Sequence, residues 1–376
     1  MTGKALKNVM ALAALCGGSE AALAGVDVAP FGTMADGRPI HLYTLSTPGL
    51  TVRVTDLGGI ITAIETPDRA GRTADIVLGF ATADQYRARD NQYFFGVPVG
   101  RFANRIAGAR VTIDGQSYAL AANNGPNTLH SGRPYYHERL WAARPFTRGG
   151  RSGVTLELVS PDGDQGFPGR LVLRLRYSVG PDHALRIDYR ATTSRPTFVN
   201  FTNHSYFNLA GEGSGDVGGQ SIQIRADRLA ERDAAGLPTG RIVPVTGPYD
   251  LRAPRRIGDG IAAIKAQGGS GYDDSYVLAD RPFARPRLVA EARDPASGRT
   301  LTVLTTEPSL QFYTANSAWG TDAGPSGRVY RRHGGFALET QHLPDSPHHP
   351  DFPTTLLRPG QTFRSTTLYR FGVEGG

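Results

Sequence analysis

Apolar and polar residues alternate with a period of two over much of the chain. Leu171, Leu173, Leu175 and Tyr177 are apolar, while Arg174, Arg176 and Ser178 fall between or after them. After Gly180-Pro181-Asp182-His183 the alternation resumes at Leu185, Ile187 and Tyr189. Successive side chains of an extended chain point to opposite faces, so the pattern predicts two half-buried strands joined by a turn. Val111 and Ile113, then Asp114-Gly115, then Tyr118 and Leu120 predict a second hairpin. Asp-Gly readily adopts the two positive φ values of a primed turn. Further strands are predicted at 50–56, 60–66, 76–80, 154–159, 196–201, 301–306 and 311–314. Helical periodicity is scarce, with short helices predicted at 83–87 and 257–266.

Composition agrees with a strand-rich chain. Of 376 residues, 47 are Gly and 26 Pro, which implies many turns, and 39% are hydrophobic, enough to bury a large core. No apolar run reaches the ~18–20 residues that span a bilayer as a helix. No Pro/Ser-rich linker follows Gly25 and no repeat of 20–50 residues is visible. A single hydrophobic core usually stops growing near ~250–300 residues. An antiparallel sandwich can exceed that because its sheets widen without thickening. The expectation is one all-β domain, a large antiparallel β-sandwich over 25–376, with polar chemistry on loops and strand ends.

The first 24 residues read as a secretory leader. Lys4 and Lys7 supply the positive end, residues 9–16 an apolar segment too short to span a membrane, and Ala22-Leu23-Ala24 a small-x-small cleavage site. A cut after Ala24 would export the chain to a periplasm or the outside. It would also remove Cys16, the sole cysteine, so no disulfide or thiolate metal site is available within the chain. Net charge is +7, from 41 Lys and Arg against 34 Asp and Glu. The arginines are dispersed through alternating segments and form no block that would track a phosphate backbone, so nucleic acid is not an expected partner.

Asn203-His204-Ser205-Tyr206-Phe207-Asn208-Leu209 concentrates amide, imidazole, hydroxyl and ring groups, as a sugar site requires. His204 titrates near neutrality when unperturbed and can donate and recover a proton. Phe336-Ala337-Leu338-Glu339-Thr340-Gln341 sets one carboxylate in a largely apolar run, where desolvation would raise its pKa toward that of a useful base. Arg105 can fork two hydroxyls or orient a carboxylate. Asp273 and Asp274 can chelate vicinal hydroxyls or shape a turn. His130 ends a turn-rich loop. His342, His348, His349 and Asp345 lack the i, i+4 helical spacing of zinc hydrolases, so no metal is expected. There is no phosphate loop and no Gly-x-Ser-x-Gly elbow.

Taken together, these motifs resemble the aldose 1-epimerase (galactose mutarotase) family. The resemblance rests on Asn104-Arg105-Ile106, Asn127-Thr128-Leu129-His130, Thr202-Asn203-His204-Ser205-Tyr206-Phe207-Asn208-Leu209-Ala210-Gly211, Gly271-Tyr272-Asp273, Gln311-Phe312-Tyr313 and Leu338-Glu339-Thr340-Gln341 with Pro344-Asp345. It extends from about Phe31 to Phe371. It implies the family's antiparallel supersandwich and the interconversion of α and β anomers of free aldohexoses such as galactose and glucose. By the same resemblance Glu339 matches the general base and His204 the general acid. Arg105, His130, Asp273 and Gln311 match substrate-holding positions, with Asn104, Ser205 and Tyr206 nearby. No cofactor is implied, since only protons move. The expected partner is a monosaccharide, and the expected assembly a monomer or homodimer. One loop, 131–141, departs from the family's paired glycines and Gly-Phe-Asp-Lys, which bears on the shape of the sugar pocket. Three rivals are a sugar binder without turnover, an epimerase of hexose 6-phosphates, and a polysaccharide-cleaving enzyme.

Overall fold

A computed structural model describes residues 25–88, 93–317 and 323–374. The expected leader lies outside the described residues. Among them, antiparallel sheets dominate. The largest has nine strands, with Ala142–Arg148, Arg151–Ser160, Leu171–Val179, Ala184–Thr193 and Phe363–Val373 as consecutive neighbours, continuing through Arg299–Thr305 and Arg287–Arg293. A six-stranded sheet runs in the order Tyr206–Phe207, Phe336–Gln341, Ser309–Tyr313, Asp273–Val277, Arg228–Arg232, Pro238–Pro244. A five-stranded meander covers Gly25–Thr33 through Thr73–Asp75.

The period-two pattern sets which side is buried. Leu173, Leu175, Tyr177, Leu185 and Ile187 point into the core while Arg174, Arg176 and Arg190 stay outside. The inner faces of the nine- and six-stranded sheets meet in one cluster that includes Leu301, Tyr369, Leu310, Phe312 and Leu338. Tyr369 Oη donates to the Leu338 carbonyl at 2.8 Å, tying the two sheets across that core. Asp114 and Gly115 take φ of 50° and 80°, as the primed turn between Arg110–Ile113 and Gln116–Ala119 requires. The helices form at Ala83–Ala88 and Ile257–Ala266.

Two expected strands come out differently. Within 196–201 only Thr197–Phe198 pairs as a strand. Residues 76–80 form no strand, because the segment bonds two neighbours in turn: Ile76 N–H reaches the Ile64 carbonyl and Leu78 N–H the Tyr206 carbonyl. Both segments are buried. Apolar content marks burial but does not say which backbone a segment pairs with.

Candidate active site

The side of the six-stranded sheet away from that core carries polar residues in register. Ser275, Gln311 and Glu339 form one cross-strand row, and Asp273, Tyr313, Ala337 and Tyr206 the next. His204, two residues before Tyr206, is fixed through its backbone: its N–H donates to the Val97 carbonyl and its carbonyl accepts from Gly96. A cleft of about 640 Å³ opens over these rows, with His204, Glu339, Asp273, Arg105, His130 and Tyr206 in its wall.

His204 Nε2 lies 3.7 Å from Glu339 Oε1, and both side chains are buried. His204 Nδ1 and Glu339 Oε2 have no hydrogen-bond partner within the protein, so the pair is not consumed by structure. Burial pushes the Glu339 carboxyl up to about 8; the Asp273 charge adds to this and Arg105 opposes it. Burial holds the His204 imidazole down to about 4. At neutral pH the pair therefore holds a single proton.

Arg105 and His130 arrive together because the short strands Arg105–Ile106 and Thr128–Leu129 pair, with Arg105 opposite Leu129. The Asn104 N–H donates to His130 Nδ1 at 3.1 Å. Nδ1 must then be unprotonated, which leaves the neutral ring's proton on Nε2 as a donor. Burial and the neighbouring cations hold His130 well below its usual value, so it stays neutral. Arg105 is steered by Asn124 Oδ1 at 3.3 Å, Asn104 Oδ1 at 3.5 Å and Asp273 Oδ2 at 3.8 Å. Asp345 anchors this corner: its N–H donates to the Arg105 carbonyl and its Oδ1 accepts from Ala107 N–H.

Two of the expected substrate-holding residues do not line the cleft. Ser205 is buried and donates from Oγ to Asn203 Oδ1 at 2.7 Å. Gln311 is buried behind Asp273, donating to its Oδ1 at 2.7 Å and accepting from Ser275 Oγ. Conversely, the wall includes Phe94 and Arg232, which the sequence reading did not single out. Phe94 takes φ of 60°, an uncommon conformation for a bulky residue, and its ring lies 6.0 Å from His204 and 4.7 Å from His130. The divergent loop 131–141 reaches the site through that ring, since Tyr135 and His137 both pack edge-on against Phe94. Arg232 is paired with Asp274 at 3.0 Å. Among the described residues no group of three His, Cys, Asp or Glu side chains is placed to hold a metal. His342 instead pairs with Glu307 at 2.7 Å and His348 with Asp345 at 2.6 Å.

The aldose 1-epimerase family model matches residues 41–370. The rat (Rattus norvegicus) galactose mutarotase is 41% identical over 90% of this chain and 95% of its own length. The human (Homo sapiens) galactose mutarotase is 39% identical over 93% of this chain and 100% of its own, and the Escherichia coli K12 aldose 1-epimerase 36% identical over 90% and 97%. The crystal structure of galactose 1-epimerase from Lactobacillus acidophilus superposes with a TM-score of 0.80 at 25% identity, covering 94% of this chain and 100% of that one. An aldose epimerase homologue from C. elegans gives 0.78 at 26% identity, over 93% and 99%.

Proposed function

The chain belongs to the aldose 1-epimerase family and is an aldose mutarotase, and from that premise we propose that Glu339 and His204 are its base and acid. Glu339 removes the proton from the anomeric O1 while His204 protonates the ring oxygen O5, and the C1–O5 bond breaks to give the open aldehyde. Rotation about C1–C2 presents the other carbonyl face, and the transfers run in reverse to close the opposite anomer. Atoms and protons balance, and nothing leaves the sugar.

The observation that carries this reading is the 3.7 Å approach of His204 to Glu339 in an open cleft, from segments 135 positions apart in the chain. The active microstate needs a carboxylate beside an imidazolium. Moving the proton from Glu339 to His204 costs ~5 kcal/mol on the gap between about 8 and about 4. Attraction between the two charges formed 3.7 Å apart returns ~4 kcal/mol at an effective dielectric near 20. Substrate hydroxyls at the free Glu339 Oε2 supply hydrogen bonds to the charged form. His130, as an Nε2–H donor, and Arg105 hold the sugar and steady charge near O5; Asp273 grips hydroxyls farther around the ring.

Polarimetry on freshly dissolved α-galactose or α-glucose tests the assignment. Glu339→Gln and His204→Asn should each lower kcat at least about a hundredfold with the fold intact. Near-normal turnover in either variant rejects its role. We further infer that the leader is removed after Ala24 and that the enzyme works outside the cytoplasm, on the lysine end, apolar segment and small-x-small site.

A further inference from the structure

The arginines dispersed along the sequence converge in space, because a period of two puts alternate residues of neighbouring strands on one face. The five consecutive strands from Ala142–Arg148 to Phe363–Val373 carry Arg144, Arg148, Arg151, Arg174, Arg176, Arg186, Arg190, Arg364 and Arg370, against only Glu157 and Asp188. All nine lie on the outward side, in the rows that alternate with the buried Leu173, Leu175 and Ile187. Arg174, Arg190 and Arg364 stand directly opposite one another on three adjacent strands, and Arg148 opposite Arg151. Like charges so placed destabilise a sheet.

The nearby carboxylates are already taken. Glu157 binds Arg174 at 2.6 Å, Asp188 binds Arg186 at 2.8 Å, and Asp182 in the adjoining turn binds Arg151 at 2.9 Å. Among the described residues, Arg144, Arg148, Arg176, Arg190, Arg364 and Arg370 are left exposed with no carboxylate partner. The net charge of the whole chain is +7, so most of the excess sits on this one face. Part of it forms a groove of about 590 Å³ whose wall includes Arg144, Arg148, Arg174, Arg176 and Phe146.

The chemistry narrows the partner. The Arg176 guanidinium lies over the Phe146 ring, 4.0 Å from its centroid, and Gly153 packs close to the ring atoms Cζ and Cε1. The ring is thus already engaged within the protein and is a poor platform for a nucleic-acid base. Val159 is the one large apolar side chain standing well exposed on these outward rows, too little to anchor in hydrocarbon. Adjacent strands are ~4.8 Å apart, so arginines directly opposite one another form a straight, evenly spaced row of charges. That interval suits a linear polyuronate, which carries one carboxylate per sugar unit. We propose that this face binds an acidic polysaccharide, with successive carboxylates seated on the unpartnered Arg190 and Arg364 beside the Glu157-paired Arg174. None of these arginines lines the cleft, so the inference stands apart from the acid–base assignment.

Binding of the full chain to polygalacturonate at low salt, with neutral dextran, duplex DNA and phosphatidylglycerol vesicles as comparators, tests it. Polygalacturonate should bind and dextran should not. Arg190→Ala/Arg364→Ala should weaken binding at least tenfold and make the slope of log K against log salt shallower by about two. Arg281→Ala/Arg285→Ala, an equal charge change on an exposed loop elsewhere, should stay within about twofold. Polarimetric rates of both double variants should match the parent. No binding to polygalacturonate, equal losses in the two double variants, or tighter binding to DNA or vesicles would each overturn the proposal.

Discussion

On the proposed assignment, a carboxyl and an imidazole that share one proton set the behaviour of the enzyme at the residue scale. Below about 4 His204 gains a second proton and the pair has no base; above about 8 it loses its last proton and has no acid. A plot of kcat/KM against pH should therefore be flat between those limits and fall on both sides. A single limb near pH 6.5, from an unperturbed histidine, would show that burial does not govern the pair. Stability should run the other way. Glu339 has a folded-state pKa raised above its unfolded 4.5, so its contribution is full below 4.5 and is lost as pH rises through about 8. That loss reaches ~5 kcal/mol at most. Glu339→Gln should accordingly melt several degrees above the parent at pH 8.5 while matching it near pH 4.5 in thermal scans, an inactive protein that is the more stable one. His204 and Glu339 were legible in the sequence because each set a titratable group among residues that could desolvate it. Phe94 was not, because a phenylalanine inside a hydrophobic stretch gives no sign that its backbone turns to φ 60° and sets its ring against two histidines.

Strands convert sequence spacing into geometry, and here the register does what no single motif could state. Glu339, Gln311 and Ser275 are partners across three strands, and Gln311 passes that alignment to Asp273 through a 2.7 Å hydrogen bond. Gln311 was expected to touch sugar; it is buried in the row behind Asp273 and donates to that carboxylate, the group proposed to grip the sugar. Removing a hydrogen bond to a charged group costs ~1.5–3 kcal/mol. Gln311→Leu should thus raise KM about tenfold or more and leave kcat within about threefold in initial-rate measurements. A collapsed kcat at unchanged KM would move Gln311 into the chemistry. The hairpin at 110–119 and the helix Ile257–Ala266 were readable from local rules, turn chemistry and period. Residues 76–80 were not, because Asp75 Oδ1 accepts from both Ile64 and Val77 N–H and the chain then bonds to one neighbour after another. That arrangement is decided by packing between sheets, which alternation does not encode.

At the scale of the whole molecule, the alternating pattern could announce many half-buried strands but not their order, since every strand of a sandwich presents the same period. The resemblance implied the supersandwich as a whole, and the order of its strands is read from the structure. The described chain adds where the amino-terminal boundary falls relative to the sheets. Among the described residues, the strand Gly25–Thr33 lies at the edge of the five-stranded sheet and pairs only with Pro39–Thr47, starting at Gly25 opposite Ser46. Its side chains are mostly exposed, and the cleft draws its wall from Tyr93 onward. A cut after Ala24 would spare every pair of that ladder and every group in the active site. Amino-terminal sequencing of the exported enzyme should therefore read Gly25-Val26-Asp27. A chain starting at Gly25 should match it in kcat and melt within about 2 °C, in line with a cut outside a mostly exposed edge strand. Recovery of an active enzyme that keeps residues 1–24 and stays in the cytoplasm would remove the basis for export, while leaving the chemistry of His204 and Glu339 untouched.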